Sequence, residues 1–253
     1  MKKNDGIQRV KTGLQDLDKL LDGGFPKNSI ILVTGPPGSG KTIMGVEFLY
    51  RGAIEYSDSG YFISLEMQKD EIYLQAKQMG WDMKKIENMV SVVFIESKYQ
   101  ISGSNIFGPL INNIKASGAK RVVLDSLNSF VDFYIPKIIK AQPYLGNVGS
   151  SAITRYAVFY LIEELRKIDA TIILISDASS EKDSRNYSSN GVSEYLCDGI
   201  INLNYLNMGG AQSRTLEIPK MRLTAQEKDF IPYDITDKGI VLNLKDRSSV
   251  MMK

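Results

Sequence analysis

The residues best equipped for chemistry form one run, Gly35-Pro36-Pro37-Gly38-Ser39-Gly40-Lys41-Thr42, which fits G-x-x-x-x-G-K-[ST] at every fixed position. Gly38 and Gly40 let the backbone turn its N–H groups inward without Cβ clashes, and the positive end of a following helix adds to the anion cradle. Such a cradle suits a nucleotide's phosphates, with Lys41 placed to contact the β and γ groups and the Thr42 hydroxyl to bind Mg²⁺. A Gly-rich turn of no function is the bland alternative. It fits poorly between an apolar β-branched run, Ser29 to Thr34, and a helical pattern from about Gly40 with Ile43, Val46, Leu49, Tyr50 and Ala53 on one face.

The chain has no histidine, so acid–base work must fall to carboxylates. Asp125 closes the run Lys120-Arg121-Val122-Val123-Leu124, at the end of a strand where ligands of open parallel sheets bind. An aspartate there can hold the water shell of Mg²⁺ opposite Thr42, or simply cap a helix. Glu66 follows Gly60 to Leu65 and is placed to orient or deprotonate an attacking water; a solvated surface acid is the alternative. Asp177 follows Thr171 to Ser176, near the expected γ-phosphate, where it can sense hydrolysis or merely start a loop.

These residues need a scaffold of alternating strands and helices. The pattern continues with a helix from Asp70 to Met79, a strand from Val90 to Ile95, and helices from Ser104 to Ala116 and from Ala152 to Ile168. Alternation of this kind predicts an α/β fold with a mainly parallel central sheet flanked by helices. After residue 199 the runs Gly199 to Leu206, Arg214 to Pro219, Phe230 to Ile235 and Ile240 to Leu242 predict antiparallel strands at the C-terminal edge.

Composition narrows the class. With 253 residues, 43% hydrophobic and 24% charged, the chain can bury an ordinary core, and nothing marks a boundary within residues 1–253, so one domain is expected. A net charge of +2 is too balanced for the broad positive field of a duplex-binding protein. Cys197 is the sole cysteine, which excludes an intramolecular disulfide and fits a reducing compartment. No stretch approaches the ~20 apolar residues of a membrane span, so a cytoplasmic protein without membrane contact is expected.

From Val10 to Leu242 the chain resembles the RecA-like P-loop ATPases of the KaiC-domain family, near relatives of the archaeal RadA paralogues. Thr12-Gly13-Leu14-Gln15-Asp16-Leu17-Asp18-Lys19-Leu20-Leu21-Asp22-Gly23-Gly24-Phe25-Pro26-Lys27 is similar to the family's lead-in, and Leu124-Asp125-Ser126-Leu127 to its Walker B. The resemblance implies ATP and Mg²⁺ as ligands, ATP hydrolysis, and Glu66 as the water-activating residue. A second acid beside that glutamate is replaced by Met67, and Asp177 stands where relatives carry a glutamate or glutamine sensor. Lys220-Met221-Arg222 resembles the Lys-x-Arg element whose cations reach a neighbour's γ-phosphate, which implies self-association into a hexameric ring or filament. Two exposed basic residues on an edge strand are the alternative. Leu223 replaces a usual glycine and Gln226 a frequent histidine. Glu194 and Tyr195 lie where the clock protein's second domain is phosphorylated, so autokinase activity is not implied.

Three functional readings follow: a nucleotide-driven oligomeric switch in signalling or regulation, a RadA-paralogue ATPase that binds single-stranded DNA during recombination or repair, and a nucleotide-binding regulator that hydrolyses ATP slowly or not at all, against whose complete loss of hydrolysis the intact Lys41, Thr42, Glu66 and Asp125 argue. The second would use two long connections, Pro136 to Ser151 and Ala178 to Ser193, which hold Lys137, Lys140, Tyr144, Lys182, Arg185 and Tyr187. Glu181 and Asp183 offset the basic residues of the second connection, and too few residues precede the P-loop for an N-terminal DNA-binding domain.

Overall fold

The computed structural model describes residues 6–95, 107–147, 149–178, 187–189, 191–208, 211–225 and 229–244. A short ribbon of β1 (Arg9–Val10) and β2 (Phe25–Pro26) brackets α1 (Gln15–Leu20). The lead-in is held by Asp18, whose buried carboxylate accepts the Thr12 N–H at 2.8 Å. Strand and helix then alternate: β3 (Ile30–Gly35), α2 (Lys41–Tyr56), β4 (Gly60–Ser64), α3 (Lys69–Gln78), β5 (Val90–Phe94), α4 (Gly108–Ser117) and β6 (Arg121–Asp125). They continue with α5 (Leu127–Ala141), α6 (Ser150–Leu165), β7 (Thr171–Asp177), α7 (Ser193–Leu196), β8 (Gly199–Met208), β9 (Ala211–Met221), β10 (Ile231–Thr236) and β11 (Gly239–Leu242).

Nine strands form the main sheet in the order β11-β10-β9-β8-β3-β7-β6-β4-β5. From β8 to β5 all neighbours are parallel, and from β8 outward to β11 they are antiparallel. This is the expected α/β architecture with one adjustment. The run from Gly199, expected among the antiparallel additions, pairs in parallel with β3 and only its other edge is antiparallel.

The strands have few polar interior positions because both faces are covered. Ile31 and Val33 face a core shared with α2 and the C-terminal strands, whereas Ile30 and Leu32 face one built with α4, α5 and α6. A Cβ on Gly45 would lie 2.9 Å from Val123, so glycine there lets α2 lie close against the sheet.

The helix expected near Ser104 to Ala116 is present as α4, and the start of that expectation, with residues 96–106, lies outside those described. One helical expectation is corrected. The connection expected from Pro136 is instead helical: α5 runs through Pro136 to Ala141, a 3-10 turn covers Pro143–Asn147, and α6 starts at Ser150. Proline usually ends a helix by removing an N–H and crowding the preceding turn. Here Phe130, Val131, Tyr134 and Ile138 form a buried stripe on both sides of Pro136, and Phe107 packs its ring against Phe130 and Tyr134, so tertiary packing carries the helix past it.

The last strands close over the P-loop helix. Buried Glu47 of α2 accepts the Ile240 N–H at 3.0 Å and the Arg51 Nε–H at 3.3 Å, and the Tyr233 hydroxyl donates to the Ser39 carbonyl. Burial, only partly opposed by those donors, pushes the Glu47 carboxyl from 4.5 up to about 7. A carboxyl whose pKa is higher folded than unfolded binds more protons in the folded chain. Its contribution to stability is therefore complete below 4.5 and is lost as pH rises to about 7. Glu47→Gln keeps an acceptor for Ile240 and removes the titration, so the decline in unfolding free energy between about pH 5 and pH 7 should flatten by about 2–3 kcal/mol. Denaturant titrations across that range check this; parallel pH profiles for both proteins would contradict it.

Candidate active site

The site starts where β3 hands over to α2. Gly38 (φ 77°) and Gly40 (φ 96°) adopt left-handed backbone that most side chains avoid. The first turn of α2 contains no acidic residue, so its free N–H groups face the loop without internal competition for an anion. Lys41 curls over the loop, its Nζ donating to the carbonyls of Gly35 at 2.7 Å and Pro36 at 3.3 Å and lying 3.3 Å from the Asp177 carboxylate. The Ser39 Oγ is buried and has no hydrogen-bond partner among the described residues. Together these features fit a phosphate chain rather than a self-contained turn.

Parallel pairing brings the acids alongside. Gly35 is level with Asp177, Asp125 with Ile175, and Ser64 with Asp125. The Thr42 hydroxyl donates to Asp125 Oδ2 at 2.7 Å. Asp125 is buried, and desolvation pushes its carboxyl up to about 6; the Thr42 hydrogen bond and the Lys41 charge oppose the shift, while the negative charges of Glu66 and Asp177 add to it. Glu66 stands just beyond β4 and is exposed, its Oε1 accepting from the hydroxyls of Ser126 and Ser129. Lys41, Thr42, Asp125, Asp177 and Glu66 thus share one end of the sheet.

The hydroxyl and carboxylate of Thr42 and Asp125 suit Mg²⁺, a hard cation that keeps several waters and borrows phosphate oxygens. An all-protein cage is not needed, and the described residues contain no cluster of three or more His, Cys, Asp or Glu able to make one.

Several contributors were missed by sequence reasoning. Asn128 Oδ1 accepts from Ser176 Oγ at 2.9 Å and from the Asp177 N–H at 3.0 Å, while its Nδ2 donates to Ser189. It ties the end of β7 to the segment returning from residues 179–186, which lie outside those described. Ser126 caps α5 by accepting the Ser129 N–H. The helical spacing of Leu127, Phe130, Val131 and Tyr134 would have revealed α5; nothing in the spacing announces Tyr233 beneath the loop.

Lys220 and Arg222 are not brought to this chain's own P-loop. β9 ends beside Gly199 and Ile200, with Lys220 level with Ile200 and Arg222 just past the strand, and Gly199 is level with Ile31, four residues or about 13 Å along the strand from Gly35. Lys220 Nζ donates to the carbonyls of Glu194 at 2.8 Å and Cys197 at 2.7 Å. Arg222 lies against Asp198 at 2.9 Å, and Asp198 also accepts from the Ile30 N–H and Arg166. Leu223 has φ 57°, a backbone conformation glycine adopts without strain, and Gln226 lies outside the described residues. Of the expected DNA-facing residues, Lys137 and Lys140 are on α5, Tyr144 is on the 3-10 turn, Tyr187 is within 3.5 Å of Glu217, and Lys182 and Arg185 lie outside the described residues.

The family profile described as "ATPase: KaiC" matches residues 10–247. The chain belongs to the KaiC ATPase family. A UPF0273 protein of Methanocaldococcus jannaschii is 31% identical, covering 93% of this chain and 96% of that one. The circadian clock oscillator protein KaiC of Synechococcus elongatus is 28% identical over 97% of this chain, which spans only 47% of that relative. A crystal structure of a KaiC-like protein from Pyrococcus horikoshii superimposes with a TM-score of 0.77 at 28% identity, covering 94% and 99% of the two chains. The likeness to KaiC-type proteins thus extends over nearly the whole chain in both sequence and fold.

The raised Asp125 carboxyl implies that its charge opposes folding at neutral pH. Asp125→Asn preserves an acceptor for Thr42 and removes the charge. It should raise the melting temperature of the nucleotide-free protein at about pH 8 by about 2–6 °C, from about 1–2 kcal/mol of relieved desolvation. Scanning calorimetry decides: a lower melting temperature for the variant would refute the cost assigned to this charge.

Proposed function

We propose that this chain, a single KaiC-type domain over residues 1–253, binds ATP with Mg²⁺ and hydrolyses it as an oligomeric, nucleotide-driven switch in signalling or regulation. The observation that carries the reading is the 2.7 Å contact between Thr42 and Asp125 beside a lysine folded over a glycine-rich loop. The loop amides and Lys41 would hold the triphosphate, Lys41 exchanging its bonds to Gly35 and Pro36 for phosphate oxygens. Thr42 and Asp125 are the residues that would hold Mg²⁺, which when bound neutralises phosphate charge. Glu66 would accept the proton of the attacking water, and Asp177, within reach of Lys41, would register loss of the γ-phosphate. Among the described residues no helix is long and apolar enough to cross a membrane, consistent with action in the cytoplasm.

Lys41→Ala should lower Mg-dependent ATP turnover at least a hundredfold and abolish retention of nucleotide, measured by phosphate release and equilibrium binding. Equal rates in variant and parent would remove this site from the reaction.

The separation of Lys220 and Arg222 from their own P-loop supports action on a neighbouring subunit, where two cations beside the γ-phosphate would stabilise developing charge. An inactive Arg222→Ala protein mixed with an inactive Lys41→Ala protein should then regain part of the parent rate. In mixed assemblies an intact P-loop can face an intact Arg222. A mixture no faster than its components, in particles shown by mass to be mixed, would refute the arrangement.

A further inference from the structure

Glu66 differs from Asp125 in how it is held. Asp125 is buried in the sheet, whereas Glu66 stands exposed beyond β4, where a long side chain in water samples many rotamers. A carboxylate that must take a proton from one water molecule has to be kept in one orientation. The first turn of α5 supplies the restraint. Ser126 is the N-cap of α5 and Ser129 its third helical residue, and the cap turns the Ser126 side chain back over Ser129. Both hydroxyls meet the same carboxylate oxygen, Glu66 Oε1, with Ser129 Oγ at 2.8 Å.

The two hydroxyls are 3.1 Å apart and each has a single proton. Directing both at Glu66 uses the donor capacity of the pair and makes Oε1 the anchored oxygen. Oε2 accepts no hydrogen bond from the described residues, which leaves it for water. The serines are not equivalent. Ser126 also caps α5 through the Ser129 N–H, so its loss would disturb the helix that follows Asp125. The Ser129 hydroxyl has no capping duty and, among the described residues, meets only Ser126 and Glu66.

We propose that Ser129 is a positioning residue for the reaction, anchoring one oxygen of Glu66 so that the other faces the attacking water. The inference rests on the reading of Glu66 as the water-activating carboxylate, and the experiment separates the two. Steady-state turnover of Mg-ATP is measured for the parent, Ser129→Ala, Ser129→Thr, Glu66→Gln and the Glu66→Gln/Ser129→Ala double variant, under conditions in which all assemble alike.

Loss of orientation should lower kcat about tenfold in Ser129→Ala with KM changed by less than about twofold, since ATP is held elsewhere. Ser129→Thr, which retains the hydroxyl, should restore most of the rate. In the Glu66→Gln background the Ser129→Ala change should have no further effect. A Ser129→Ala protein as fast as the parent, with Glu66→Gln slow, would overturn the role of Ser129 and leave that of Glu66 standing. A faster Ser129→Ala protein would make the serine a restraint on the reaction, and an equal loss in both backgrounds would make its effect merely structural; either overturns the proposal. Parent-like turnover in Glu66→Gln would remove the reading of Glu66 and the inference with it.

Discussion

β3, β7, β6 and β4 end side by side because they are paired in parallel, with Gly35 level with Asp177, Asp125 with Ile175, and Ser64 with Asp125. That alignment gathers one cation and three carboxylates at the same end of the sheet, although they are scattered over more than half of the chain. A slip of one residue in any of these pairs would turn that strand's side chains to the opposite face. The buried Ile and Val positions of the strands resist such a slip, since both faces are filled. Close packing of side chains on both faces, rather than polar–apolar alternation, therefore holds the register that leaves Asp125 beside Thr42 at the start of α2.

The gathering carries an energetic cost. Asp125 is kept out of water near other negative charges, so its ionised form is disfavoured until cations arrive. Glu47, on the helix beginning with Lys41, is similarly desolvated in order to hold the backbone of β11. The neighbouring Tyr233 on β10 supports the loop from beneath through Ser39. The glycine-rich loop and its helix are thus braced by β10 and β11, and the antiparallel addition to the sheet belongs to the candidate site rather than to its periphery.

Charge is also divided between the two ends of the sheet. Lys41 and the acids lie where the parallel strands finish, whereas Lys220 and Arg222 lie near where they begin, gripped by the carbonyls after α7 and by Asp198. The levels of Gly199 and Gly35 alone differ by about 13 Å along the strands. A reaction that used both sets would need a second copy, which links the proposed turnover to assembly.

The placement of the candidate site residues was readable from residue order. The glycines of the P-loop, Lys41 and Thr42 are fixed by the backbone turn they must make, and Asp125 and Asp177 by ending apolar runs whose length and β-branching specify buried strands. The alternation of those runs with helical patterns implied the parallel sheet, and residues from Val10 to Leu242 carried the family resemblance that the comparisons bear out. Other features depend on contacts between segments far apart in the chain, for which spacing offers no signal. β8 joins β3 in parallel, and Glu47, Tyr233, Asn128 and Ser129 acquire their partners, only when distant elements meet. Sequence periodicity records which face of an element is apolar; which polar group will stand opposite is decided by the tertiary structure, because hydrogen bonds form over about 3 Å and only folding brings such groups that close.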